Sequence, residues 1–168
     1  MAKELPEFRY LEGTPSMNAA VLTVNMIAWP IIQISIARAI LQVPDRYFAS
    51  TRRPSGIEIR EAMFYRKVLR IKRWKHLLPD GASWLTGTFP KSRIRSHDFR
   101  YLLRFAQEAR RGELAHWSML FCFPIFYLWN PPWAFIVMTL YAFVSNLPCI
   151  VVQRYNRIVI SHSLTIHS

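Results

Sequence analysis

The sequence holds three groups of residues whose types and spacing can do chemistry. Glu113 and His116 stand three apart, a separation that projects both side chains from one turn of a helix. A carboxylate beside an imidazole raises its pKa and fixes its tautomer, which suits a general base; the alternative is a hydrogen-bonded pair that anchors a helix at an interface. The Glu-x-x-His spacing also builds di-iron bundles, but those need a second such motif and further carboxylates. The chain has neither, so no metal ligand is expected.

The second group is Arg73-Trp74-Lys75-His76-Leu77-Leu78-Pro79-Asp80-Gly81. His76 and Asp80 are similar to the His-x-x-x-x-Asp dyad of glycerolipid acyltransferases, with a spacing one residue shorter. Trp74 and Lys75 suit an interfacial anchor equally well, and Pro-Asp-Gly is a turn in its own right. The third group is Ser145-Asn146-Leu147-Pro148, followed by Gln153-Arg154-Tyr155-Asn156-Arg157. Pro148 removes a backbone donor and frees a carbonyl one turn earlier, which makes a polar notch near Asn146. Arg154 and Arg157 lie three apart and can clamp a phosphate, or simply snorkel to a membrane surface.

The elements that must position these groups follow from how charge is distributed. The 168 residues include 22 Lys and Arg against 10 Asp and Glu, a net charge of +12, with 52% hydrophobic residues and 14% aromatics. That excludes a disordered basic tail, which would be poor in aromatic and branched residues. A nucleic-acid-binding domain would intersperse its charges with its core residues. Here they are segregated: residues 13–37 and 114–153 contain no Asp, Glu, Lys or Arg. A membrane span needs about 20 apolar residues to cross roughly 30 Å of hydrocarbon.

The expected architecture is all-α, a small integral membrane helical bundle with about three transmembrane helices and a basic cytoplasmic segment that contains an interfacial amphipathic helix. Its parts are an N-terminal tail (1–18), transmembrane helices at 19–41, 114–129 and 134–152, the basic segment (42–113), an external turn (130–133) and a cytoplasmic tail (153–168). Glu4, Glu7 and Glu12 argue for a retained anchor and against a secretory signal. The 42–113 segment holds 17 basic and 7 acidic residues and so belongs in the cytoplasm. The second span reaches only about 24 Å at the helical rise, so its helix begins earlier, within 107–113, or is partly re-entrant. Apolar residues at helical spacing among Arg and Lys predict a helix over 57–74 lying in the headgroup plane. Asp98 is the expected N-cap of a further helix, on which Phe99, Leu102, Ala106 and Ala109 form a stripe continued by Glu113, His116 and Leu120. Cys122 and Cys149 read as apolar filler within spans, and no Gly-x-x-x-Gly motif argues for an oligomer. All three groups then lie in the cytoplasmic half, around one polar site at the inner membrane face. Such a site serves a lipid-soluble acceptor and a water-soluble activated donor.

Several of these segments together resemble one family. Val43-Pro44-Asp45-Arg46-Tyr47-Phe48, Arg73-Trp74-Lys75-His76 with Asp80-Gly81, Glu113-Leu114-Ala115-His116-Trp117, and Asn146-Leu147-Pro148 leading into Gln153-Arg154-Tyr155-Asn156-Arg157 resemble the glycosyl-4,4'-diaponeurosporenoate acyltransferases, small membrane-embedded bacterial enzymes. The resemblance spans about 43–157. It implies transfer of a fatty acyl chain from acyl-CoA or acyl carrier protein, with no bound cofactor, to the primary hydroxyl of the glucose on a C30 carotenoid glycosyl ester. The protein would then be a multi-pass protein of the bacterial cell membrane with its active site toward the cytoplasm. On that reading His116 is the base and Glu113 orients it, while His76 with Asp80 is the rival base. Lys75, Asn146, Arg154, Asn156 and Arg157 would stabilise the oxyanion or bind the donor's phosphates, with Trp74, Gln153 and Tyr155 lining the substrate site. The competing function is a non-catalytic membrane subunit whose basic segment docks on anionic lipid or an acidic partner.

Overall fold

A computed structural model describes residues 19–50, 52–78, 89, 94, 96 and 98–166, and every element among them is helical. The predicted tail 1–18, Asp80 and most of the 83–96 loop lie outside the described residues. Helix α1 (Ala19–Gln42) is apolar over most of its surface, with Arg38 its one charge, and buries only Asn25 and Trp29. The chain leaves it through a 3₁₀ turn, Asp45–Tyr47. Helix α2 (Gly56–Lys67) starts at a capping box, in which Ser55 Oγ accepts from the Glu58 N–H and the Glu58 carboxylate accepts from the Ser55 N–H.

The single helix expected over 57–74 is broken. Arg70 adopts a left-handed conformation (φ 49°) and a short α3 (Ile71–Trp74) sets off in a new direction. The turn places Ile71 fully out of solvent, packed with Ala62, Tyr155 and Ile158. Burying that side chain offsets the roughly 1–2 kcal/mol that the left-handed backbone costs.

Helix α4 (Phe99–Phe121) is capped by Asp98, whose carboxylate accepts from the Arg100 and Tyr101 N–H groups at 3.0 and 3.2 Å. The predicted stripe is its buried face, with Leu102, Phe105, Ala106, Ala109, Glu113 and Leu120 inside; Phe99 is exposed. No break separates the charged residues 107–113 from the apolar ones that follow. The helix stops instead at Phe121, because Pro124 disfavours helical backbone before it, and a 3₁₀ helix (Phe123–Leu128) carries the chain on. Pro132, a favoured first helical residue, opens α5 (Pro132–Ile166). This helix absorbs both the third apolar stretch and the tail predicted at 153–168. Nothing after Val152 breaks it, and Ile158, Ile160 and Leu164 are buried on the way.

Helices α4 and α5 run antiparallel and form the spine. At one end Trp29 of α1, Leu120, Phe126, Ala142 and Ile150 pack together; at the other Leu102, Phe105 and Ala106 meet Ile160 and Leu164. Between them the spine closes up, since a Cβ on Gly112 would stand 3.0 Å from Gln153 Cδ. Arg110 donates to the Phe48 carbonyl at 2.8 Å, and Arg111 donates to the Val43 carbonyl and pairs with Asp45. Two helices, α1 and α5, are long and apolar enough to cross a membrane. The predicted second span is divided between α4 and the 3₁₀ helix, so among the described residues no third helix of that kind is present.

Candidate active site

Where α2 lies across the spine, six charged groups interlock. Glu113 of α4 receives Arg157 Nε at 2.9 Å and Arg154 Nη1 at 3.2 Å, both from α5. Arg157 also binds Glu58 at 3.1 Å, Arg154 pairs with Glu61 at 2.7 Å, and Glu58 takes a further bond from Arg52 at 2.9 Å. Three carboxylates therefore face three guanidiniums, and Tyr65 donates its hydroxyl to Glu61. Burial alone would raise the Glu58 carboxyl. The Ser55 N–H, Arg157 and Arg52 outweigh it and hold the group at about 2. Tyr65, partly buried beside Glu61, is pushed up to about 12.

One turn further along α4, His116 Nδ1 lies 3.1 Å from Asn146 Oδ1 on α5. The orientation of that amide is fixed independently, because Asn146 Nδ2 donates to the Ala142 carbonyl at 2.9 Å and a carbonyl can only accept. Oδ1 must then face the ring, Nδ1 must carry a proton, and in the neutral imidazole the lone pair sits on Nε2. Asn146 is 1% exposed, so this amide is locked in place and holds the ring in one tautomer.

The fold thus brings together Glu113, Arg154 and Arg157, and separately His116 and Asn146. Lys75 Nζ reaches Asn156 Oδ1 at 3.5 Å, and Tyr155 is a core residue. Gln153 packs on Gly112. Trp74 donates its indole N–H to the Leu69 carbonyl. His76 is exposed on a 3₁₀ turn, Lys75–Leu77, and its expected partner Asp80 lies outside the described residues. The carboxylate expected to orient His116 is engaged by two arginines, and the ring's Nδ1 meets an amide.

The model of the family described as glycosyl-4,4'-diaponeurosporenoate acyltransferase matches residues 44–165, which include every residue of this cluster. A curated protein of that name from Staphylococcus haemolyticus (strain JCSC1435) is 31% identical over 137 residues, 80% of this chain and 79% of the relative. The chain belongs to the glycosyl-4,4'-diaponeurosporenoate acyltransferase family. A relative of the same name from Staphylococcus aureus (strain MRSA252) is 28% identical over 77% of this chain and 79% of its own length. No solved structure matches.

A member of this family is an acyl-transferring enzyme, which sets aside the non-catalytic subunit. Among the described residues no three of His, Cys, Asp and Glu converge to hold a metal ion. Sequence reasoning missed Glu58, Glu61, Arg52, Arg110 and Arg111. The available signal was the placement of Glu58 and Glu61 three apart on one face of an otherwise cationic helix. It also missed a neutral cluster at the far end of the spine, where Asn25 and Asn130 exchange amide bonds of 2.7 and 3.0 Å and Trp129 donates to Asn25 at 2.7 Å. Asn25 precedes the matched region.

Proposed function

We propose that this enzyme sits in the bacterial cell membrane with its site toward the cytoplasm, and esterifies the glucose primary hydroxyl of a glycosyl C30 carotenoid with a fatty acyl chain. The donor is a thioester, acyl-CoA or acyl carrier protein, and no bound cofactor takes part. The observation that carries this reading is the His116–Asn146 pair, an imidazole whose Nδ1 faces a fixed amide oxygen. His116 Nε2 takes the hydroxyl proton as the sugar oxygen attacks the thioester carbonyl. The carbon–sulfur bond then breaks, and the proton passes from the imidazolium to the departing thiolate, so the products are an ester and a thiol. Asn146 takes the orienting role. Glu113 holds Arg154 and Arg157 at the mouth of the site, and Lys75 with Asn156 is placed to meet the donor's phosphates.

The membrane setting is supported by the apolar side chains turned outward, Met26, Ile27 and Ile31 on α1 and Ile136, Leu140 and Val144 on α5. Depth is marked at both ends. Asn130 meets Asn25, and Arg111 meets the chain just past Gln42, a separation of roughly 26 Å along α1, close to the hydrocarbon thickness. The end of α4 and its 3₁₀ extension therefore make the middle of three crossings.

The test is lipid mass spectrometry of cells with and without the gene. Deletion is expected to accumulate the unacylated glycoside, with acylation restored by wild type and not by His116→Ala; an unchanged lipid and pigment profile on deletion would contradict the proposal.

A further inference from the structure

Among the described residues there are cavities that the transfer chemistry does not use. An open groove of about 440 Å³ runs between the 69–78 segment and α5, walled by Trp74, Leu77 and Leu78 on one side and by Leu147, Pro148 and Val151 on the other, with no polar surface in its lining. The Trp74 indole is pinned by its 2.8 Å bond to the Leu69 carbonyl, so that wall is fixed before anything binds. The segment that supplies this wall also carries cations: Lys72 and Arg73 are exposed, and Lys75, next to Trp74 in the chain, is half-buried against Asn156. Burial, with Lys72 beside it, pushes the Lys75 ammonium below its ordinary range, and an arriving anion would relieve this.

An apolar slot whose wall segment also bears cations, with Lys75 reaching Asn156 of α5, matches an amphiphile that joins an alkyl chain to an anionic head. A glycoside of a polyene offers no charge to those cations. Leu147 and Pro148 directly follow Asn146, the amide that orients His116, so the groove adjoins the reacting centre in the chain itself. We infer that this groove holds the acyl chain of the donor and sets which chain lengths are transferred, an inference that rests on the acyl transfer proposed above.

The experiment measures the chain-length distribution on the acylated glycoside, relative to the cellular fatty acid pool, for wild type, Leu147→Trp and Leu77→Ala. Leu147→Trp narrows the groove, and the ratio of long to short chains is expected to fall about fourfold for each methylene displaced. Leu77→Ala opens it at an exposed position that the fold does not need, and should shift the distribution toward longer chains. An unchanged distribution in both variants, with product still formed, overturns the inference. So does a change in the amount of acceptor consumed with no change in chain length, which would give the groove to the acceptor or to bilayer lipid. A wild type that makes no acylated glycoside from available precursor fails the transfer reading itself and is told apart on that ground.

Discussion

Polar groups are buried at both ends of the stretch of spine between the Gly112–Gln153 contact and the 130–133 turn, and they are of different kinds. At the end near the 130–133 turn, Asn25 and Asn130 satisfy each other, Trp129 adds one donor, and Asn130 also donates to the Phe126 carbonyl. Neither amide titrates, so this cluster can fasten α1 to the turn but cannot take up or give a proton. At the other end three carboxylates face three guanidiniums, and one turn beyond them a third asparagine holds an imidazole. Fastening helices needs only the first kind of cluster. A group that can change its protonation state, held in one tautomer by its neighbour, occurs at the second end, which is where the proposed transfer is assigned.

Removing one partner from each end should separate them by magnitude. Arg157→Ala leaves Glu113 and Glu58 short of a guanidinium at a buried site, and is expected to cost about 3–5 kcal/mol of stability, read as loss of thermal stability in detergent. Asn25→Ala strands the Asn130 amide and the Trp129 N–H, for about 1–3 kcal/mol. Replacing Asn25 and Asn130 together by Leu should recover most of that, since no polar group is then left unpaired, and transfer activity should survive. If the double replacement abolishes transfer while the protein stays folded, the division into a fastening end and a reactive end is wrong.

The two ends should also differ toward acid. The Glu58 carboxyl is held at about 2 against an ordinary 4.5, so its contribution is complete above about 4.5 and is lost as pH falls toward 2. Acid unfolding over that window should be blunted in Glu58→Gln, which has no proton to take up there. The same curve in Asn25→Ala should keep the wild-type pH dependence on a lower baseline.

Many residues of the candidate site were legible one by one. Glu113, His116, Asn146, Arg154 and Arg157 each stand out as polar groups at the ends of charge-free stretches, where burial demands a partner. Their pairing was not legible, because spacing reveals neighbours on one helix and says nothing of the helix opposite. Spacing joined Glu113 to His116, whereas the facing helix supplies two arginines to the first and an amide to the second. Glu58 and Glu61 were hidden among the Arg and Lys of α2, which read as a solvated surface. The break at Arg70 has no Gly or Pro to announce it; burial of Ile71 decides it, and that is a property of the assembled core. The all-helical class was clear from the apolar runs, whereas the end of α4 was set by a single proline.

The central claim is that His116, oriented by Asn146, is the base. It is tested most directly by acyl transfer in membranes holding equal amounts of wild type, His116→Ala and His76→Ala protein. The account predicts that His116→Ala loses roughly 10²-fold or more in rate while His76→Ala stays near wild type. Full activity in His116→Ala, or a loss confined to His76→Ala, would contradict it and move the base to the exposed turn.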